Sequence, residues 1–474
     1  MLLFLLMRLT GLGNDLVNSD AARWHRRSEK FWTALKTGDF ISTYQHYQPG
    51  VTLMWLNAAT KQAAFWYQLT YTKSPGTLEN ANWFPIIHGA SKAVIVLMLA
   101  ALLLVHTFAI AKLYSSRTAL IFAFLMSAEP YLIGIDRWFH LTSLETYLGF
   151  AAFLLVLLWQ KHNKNIYLIW SSLLALLAVY TKLTSLIVLP LLVFIVVRRC
   201  AQLKLFRPLL LFITVFGVAI FVLFPAMVVN PIFVLTKFYG AITSAVSEDV
   251  RGSYFTGPFS HFYYLIILLF RLSPLTIAFL LGSLLQIKSL LKSNYVFHIL
   301  FFLATFFIVL TVSDQKIDRY AVAFIPCLLL IAAVGMSALS NKTVWMSVTA
   351  VLLFVAWLAI NFYPVYSAFY SPILGGTKAA ITLGIYENGG AYFANAARYL
   401  NTKGRDNYVF VPNNTDAFSL YYKGKTQSEF NDQSKFLVTS LDFDRKSPQN
   451  QYCNIPDAEF GPHDAKVVYV FRCK

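Results

Sequence analysis

The chain has 474 residues, of which 57% are hydrophobic, 16% aromatic and only 13% charged, with a formal net charge of +17. A soluble domain would carry a charged share nearer ~25%, disorder is excluded by the 41 Phe, 26 Tyr and 10 Trp, and a disulfide scaffold by the presence of only four Cys. A polytopic membrane protein remains.

The start, Met1 to Gly13, is apolar but interrupted by Arg8, and as a helix at ~1.5 Å per residue it would be only roughly 20 Å long. It reads as a half-length first span, as a chain that has lost upstream residues, or as a weak signal peptide without a basic n-region or A-x-A site; the shortened span is preferred. A long outer loop follows, from about 14 to 90, too rich in Trp24, Phe31, Trp32, Trp55, Phe65 and Trp66 to be a free linker. Within it, 21 to 37 and 51 to 69 read as amphipathic helices on the outer leaflet, with Arg23, Arg26 and Arg27 toward headgroups. Between them lies Tyr44-Gln45-His46-Tyr47-Gln48-Pro49-Gly50-Val51, a turn able to return to the membrane beside a span end.

Stretches of the ~20 apolar residues that a span needs then occur at approximately 91 to 111, 118 to 134, 141 to 159, 166 to 181, 184 to 197, 209 to 229, 262 to 286, 295 to 312, 321 to 339 and 343 to 363. A second outer loop is expected from 230 to 261. Alternate connections carry Lys112 and Arg117; Lys161 and Lys164; Arg198, Arg199, Lys204 and Arg207; Lys288 and Lys292; and Lys342, without one acid. By the positive-inside rule these loops are cytoplasmic. All 22 carboxylates then fall on or beside the other face, including Asp15, Glu29, Glu79, Glu129, Glu145 and Asp314. The surplus of positive charge is thus a topology and lipid-anchoring signal, and no nucleic-acid partner is expected.

From about 365 the composition changes. Strand-like runs, Tyr408 to Val411 and Lys466 to Phe471, alternate with turn signals such as Pro412-Asn413-Asn414, so 365–474 reads as a small extracytoplasmic α/β domain behind a transmembrane domain of 1–364. Cys453 and Cys473 both lie there, where a bridge can persist; bridged and free forms both remain open. No repeat, P-loop, dinucleotide fingerprint or Cys/His metal spacing is present.

The order of motifs carries a resemblance. Asn18-Ser19-Asp20 opens the aromatic outer loop, Gln48-Pro49-Gly50 precedes a Trp55-containing helix, and Glu129-Pro130 leads to Asp136-Arg137-Trp138-Phe139-His140. Then follow Thr181-Lys182, Asp318-Arg319-Tyr320 with Pro326, and a tail opening at Leu374-Gly375-Gly376. Over about residues 10 to 400 this resembles the GT-C superfamily of membrane glycosyltransferases, closest to the protein O-mannosyltransferase branch that also holds the lipid A aminoarabinose transferase.

The resemblance implies an all-α membrane bundle of about eleven spans. It implies transfer of a sugar from a polyprenyl-phosphate donor to an acceptor hydroxyl, usually with inversion, on the extracytoplasmic face of the plasma or inner membrane. It makes Asp20 the catalytic base. That chemistry suits one carboxylate: the acceptor hydroxyl loses a proton as it attacks, whereas a phosphate leaving group needs cations and no proton. Arg137, Lys182 and Arg319 are the candidate phosphate ligands, and His46, Gln48, Asp136, His140 and Asp318 the candidate substrate contacts. No cofactor or metal is expected; the acceptor, whether protein, lipid or glycan, is open.

Three departures stand out. Ala21 follows Asp20 where relatives commonly have Glu, Gln48 stands where the aminoarabinose branch has Lys, and Thr142 replaces an Asp two residues after the His, leaving Asp136 or Glu145 to compensate. Each candidate also has a structural alternative. Asp20 reads as a helix cap, Asp136 and Arg137 as a solvated ion pair, and Lys182 and Arg319 as snorkelling anchors. His46 and His140 read as ordinary interface residues, Gln48 as part of a turn, and Asp318 as a partner of Arg319. Glu248, Asp249 and Arg251 in the second loop read as an acceptor gate or a solvated loop. Rival functions are a catalytically lapsed glycolipid binder, kept open by these departures, and a lipid-linked sugar transporter, which would place ionisable groups near the midplane.

Overall fold

The computed structural model describes residues 1–72, 81–247, 257–285, 295–313, 316–387, 389–404, 407–441 and 452–474. The chain begins with α1 (Leu2–Leu9), then α2 (Asp20–Thr37) and α3 (Val51–Thr72), the two helices expected in the first loop. Next come α4 (Phe84–Leu113), α5 (Ser116–Ala128), α6 (Pro130–Asp136), α7 (Leu141–His162) and α8 (Asn165–Thr181).

Each apolar stretch found in the sequence falls on a helix or a bent pair. Among the described residues five helices are long and apolar enough to cross a membrane, or seven if each bent pair counts as one span, with shorter apolar helices such as α8 and Val296–Val312 beside them. This is an integral membrane protein. The central helix is α7, apolar on every side and buried over 94% of its most apolar window, as a helix surrounded by other helices must be.

The two bends share a cause and a fastener. Pro130 and Pro274 each open a new helix, at 65° and 113° to the preceding one, because Pro lacks the N–H that would continue the old one. Glu129, at the first break, accepts from Ser273 N at 2.9 Å and Thr276 Oγ1 at 2.6 Å at the second. One carboxyl at the first break thus satisfies the helix start at the second, in the interior where unpaired backbone is costly.

The second loop differs from expectation: 231–247 is helical. Pro231 pre-sets the first turn and Asn230 Oδ1 accepts from Phe233 N at 3.0 Å, a cap the hydropathy reading overlooked. Glu248, Asp249 and Arg251, like Glu79, Lys288, Lys292 and Asp314, lie outside the described residues.

The tail forms a mixed five-stranded sheet in the order β2-β1-β3-β5-β4, from β1 (Tyr408–Phe410), β2 (Lys425–Gln427), β3 (Ser434–Ser440), β4 (Ile455–Phe460) and β5 (Val468–Arg472). Cys453 and Cys473 are bridged. The tail is not a free appendage. Ser371 N donates to Phe270 O at 2.7 Å, Tyr392 N to Asp15 Oδ2 at 3.0 Å and Tyr421 OH to Gly13 O at 2.8 Å, so it is fastened to the bundle and to the start of the first loop.

Candidate active site

The first loop is pinned near its start and at its middle turn. Asn18 Oδ1 accepts from Asp20 N at 2.9 Å, starting α2, and the tail pins the preceding residue through Ser19 N to Gly389 O at 2.7 Å. At the far end of α2 the chain turns through His46 to Gly50 and docks on the end of α8. Gly50 N donates to Thr181 O at 3.1 Å, and Gln48 Oε1 accepts from Leu183 N at 3.0 Å. Gly50 has φ +61°, and a Cβ there would stand 2.2 Å from Trp24 Cζ3, so both backbone and space require glycine.

These contacts enclose a polar cavity of about 130 Å³, lined by Asp20, Arg23, Trp24, Arg27, His46, Tyr47, Gln48, His140, Leu141, Lys182, Ile317, Arg319 and Tyr320. The Asp20 carboxylate stands 3.4 Å from Arg319 Nη2, 3.5 Å from Arg23 Nη1 and 3.6 Å from His140 Nε2. It does not cap α2: its neighbours are side chains, and the cap position, Ser19, makes no side-chain cap. Lys182 is held by Glu145 at 2.7 Å, with Tyr320 beneath its ammonium at 4.1 Å. A second, mostly apolar cavity of about 390 Å³ adjoins the first, lined by residues such as Leu183, Leu186, Ile187, Ile242, Ile308, Val309 and Val312. Gln48 and Tyr320 line both.

Burial alone would raise the Asp20 carboxyl, but the His140 contact and the charges of Arg319 and Arg23 outweigh it and hold the group well below the usual carboxylate range. Burial pushes His140 down to about 4, so it is neutral at pH 7 and its 3.6 Å approach is no ion pair. Its tautomer follows from geometry. Thr142 N donates to His140 Nδ1 at 3.3 Å, leaving the hydrogen on Nε2, which faces Asp20. Thr142 Oγ1 is also 3.0 Å from Nδ1, so Thr142 orients this histidine. His46 is fixed the same way by Gln48 N at 3.1 Å and is pushed down to about 4 by burial and Arg27. Glu145, the other candidate to compensate, takes Lys182, Thr184 and Ser185 instead.

Asp20, Lys182, Arg319, His46, Gln48 and His140 are therefore brought together. Three expectations need correction. Asp136 and Arg137 do not line the cavity: Asp136 takes Arg8 Nε at 2.7 Å and Tyr147 OH at 2.9 Å, and Arg137 donates to the Met7 and Arg8 carbonyls at 3.1 and 3.0 Å. They brace the free end of the short α1, whose last carbonyls have no helical partner. Asp318, adjacent in sequence to Arg319, does not line the cavity and binds Arg271 instead.

Other lining residues escaped the sequence reading. Arg23 and Arg27, assigned there to headgroups, line the cavity, and Arg27 lies 4.5 Å over Trp24. Glu387, behind the lining, accepts from Arg319 Nη1 at 2.6 Å; nothing in the tail's composition marked it. Among the described residues no group of three or more His, Cys, Asp or Glu is placed to hold a metal ion.

No protein-family model matches the chain, and no curated protein matches it in sequence. Solved structures do. ArnT from Cupriavidus metallidurans, bound to undecaprenyl phosphate, is similar with a TM-score of 0.53 at 13% identity, over 98% of this chain and 96% of that one. The chain has the GT-C fold. The apo state of the same ArnT gives 0.51 at 14% identity over 94% and 93% of the two chains. AglB from Archaeoglobus fulgidus, in complex with an inhibitory peptide and a dolichol-phosphate, gives 0.45 at 12% identity over 93% of this chain and 68% of that one. At such identities the GT-C likeness speaks for the fold, and chemistry must be argued from the residues.

Proposed function

We propose that the protein is an inverting, metal-independent glycosyltransferase that moves a sugar from a polyprenyl-phosphate donor to an acceptor hydroxyl at the extracytoplasmic face of the membrane. The observation that carries this is the junction of the two cavities: a cationic chamber around one carboxylate, continuous at Gln48 and Tyr320 with an apolar chamber. That pairing suits an amphiphile with an anionic head and a hydrocarbon tail, and the ArnT of similar fold was solved bound to undecaprenyl phosphate. The outward orientation is supported by the basic, acid-free loops of the other face and by the Cys453–Cys473 bridge, which belongs to an oxidising compartment.

In this reading Asp20 takes the proton of the acceptor hydroxyl as it attacks the anomeric carbon, and the phosphate departs with its charge held by Arg319 and Lys182, helped by Arg23 and Arg27. At rest Asp20 is too well stabilised to be a strong base. A donor phosphate that draws Arg319 and Arg23 toward itself removes that stabilisation and raises the carboxylate's basicity as the substrate arrives. His140, neutral and with its Nε2 hydrogen facing the carboxylate at 3.6 Å, helps to orient it.

The test is sugar release by purified protein from a panel of polyprenyl-phosphate sugars, beside Asp20→Asn. A fall of at least ~100-fold in the variant is the scale of a lost general base. Absence of turnover by both proteins, with glycolipid binding intact, would instead favour a lapsed binder.

A further inference from the structure

Positions 20, 23, 24 and 27 stand three and four apart along α2 and so share one face of the helix, and all four line the Asp20 cavity. Side chains on a helix lean toward its N-terminus, which carries Arg27 back over Trp24, its guanidinium 4.5 Å from the ring centre. Trp24 has no room to give way. It is 2% exposed, meets the His46 ring edge-on at 5.9 Å and closes against Gly50, where a Cβ would stand 2.2 Å from it. Arg27 is thus held by an aromatic face, a contact that spends none of its N–H groups.

The four cations that line the cavity differ in what they already bind. Lys182 holds Glu145 at 2.7 Å, Arg319 holds Glu387 at 2.6 Å and Asp20 at 3.4 Å, and Arg23 shares Asp20 at 3.5 Å. Arg27 makes no hydrogen bond and no ion pair among the described residues; Asp20, two turns back on the same helix, acts on it through space. His46 and His140, both pushed down to about 4 by burial, add no charge at pH 7. Four cations therefore meet three carboxylates, and the positive charge without a counterpart sits on Arg27. We infer that Arg27 is the resting seat of the donor's phosphate, a guanidinium kept free of acids, fixed by Trp24 and able to take two phosphate oxygens with its fork. A polyprenyl-phosphate sugar is a phosphodiester with one negative charge, the amount that closes this balance.

The inference rests on the function proposed above and divides its labour. Arg27 binds the phosphate on arrival, when the group carries one charge. As the acceptor oxygen bonds to the anomeric carbon and loses its proton to Asp20, the anomeric C–O bond breaks with its electron pair on the phosphate, which leaves with a second charge. Lys182 and Arg319, balanced by acids at rest, gain weight at that stage. Arg27 thus sets how tightly the donor is held, and the other two set how fast it reacts.

The test measures binding by the full-length protein in detergent of three probes: undecaprenyl phosphate, undecaprenol, which lacks the phosphate, and inorganic phosphate, which lacks the chain. Wild type is expected to bind undecaprenyl phosphate more tightly than either of the others. Arg27→Met keeps an apolar stem on Trp24 and removes the charge. It is expected to lose roughly 10–100-fold in affinity for undecaprenyl phosphate, the scale of a hydrogen bond to a charged group, with undecaprenol binding and melting temperature unchanged. Arg27→Lys should recover part of that loss, because an ammonium restores the charge without the fork. An Arg27→Met protein that binds undecaprenyl phosphate as wild type does, or that loses undecaprenol to the same degree, overturns the role of Arg27 and leaves the donor reading standing. A wild type that binds undecaprenol as tightly as undecaprenyl phosphate overturns both. Inorganic phosphate bound as tightly as the lipid would overturn the lipid as the source of the anion. If Arg27→Met does not fold, Arg27→Gln takes its place with the same expected losses.

Discussion

Arg8 and Asp136 meet at 2.7 Å with neither side chain exposed, whereas Arg319 and Asp20 stand 3.4 Å apart at 17% and 27% exposure. Both pairs join an arginine to a carboxylate far away in sequence. In the first, the remaining guanidinium donors go to the Met126 and Ser127 carbonyls and Tyr147 OH donates to the acid, so the guanidinium is fully committed inside the protein and holds α1 against the break between α5 and α6. In the second, the contacts are long, the groups line a cavity, and the carboxylate is shared by three cation or imidazole neighbours. The difference is one of access and of how tightly the guanidinium is held. A closed pair stabilises a fold; an open one can exchange its partner for a substrate.

The sharpest way to break this comparison is Arg8→Met. It leaves Asp136 buried and unpaired, which costs about 3–5 kcal/mol, so the melting temperature in detergent should drop steeply while the specific activity of the protein that remains folded changes little. A large loss of activity in well-folded Arg8→Met would move the Arg8 cluster into the site and erase the distinction. Next in size is Arg319→Lys. An ammonium cannot bridge Glu387 and Asp20 with a fork, so turnover should fall roughly 10–100-fold, the cost of misplacing a reacting partner by about an ångström, with little change in melting temperature.

A pH series sharpens the comparison by a smaller amount. His25 is fully buried, bonded to His88 at 2.9 Å and stacked on Phe139, and burial followed by Lys61 pushes its imidazole well below 6.5. For such a base the unfolded chain binds the proton first. The stability it contributes is complete above the ordinary value of 6.5 and is lost as pH falls below it, by about 1.4 kcal/mol per pH unit. His140 adds a similar loss from 6.5 down to about 4, whereas Asp20 contributes only below its ordinary 3.8. Unfolding monitored from pH 7 to 5 should therefore show acid weakening with Asp20 still charged; a flat profile would mean that these imidazoles titrate in the fold as they do in the unfolded chain.

Much of the bundle was legible because hydrophobic length is a strong signal: 141 to 159 was expected and Leu141–His162 is found. The 231–247 helix was not, since its start depends on one asparagine cap. In the candidate site, motif order singled out Asp20, Lys182 and Arg319, which line one cavity. Which way a residue points at a bend was not legible, so Asp136 and Arg137 were drawn to the wrong side, although they stand only a few positions before His140, which does line the cavity. Glu387 was invisible for a different reason. Its role exists only once the tail has folded back over the first loop, and no local pattern encodes that contact.

The smallest effect is expected at Arg26→Ala, and it bears on how the tail is held. Arg26 pairs with Asp416 at 2.7 Å between α2 and the tail, but the side chains are 47% and 39% exposed. Pairs of that kind contribute about 0–1 kcal/mol. The backbone contacts of Gly389 and Tyr392 should therefore keep the tail seated without it. Melting temperature and turnover should both stay near those of the wild type, and salt should matter little. A marked, salt-sensitive loss of turnover in Arg26→Ala would show that the tail is held by surface charge instead, and that Glu387 reaches Arg319 only when that charge is intact.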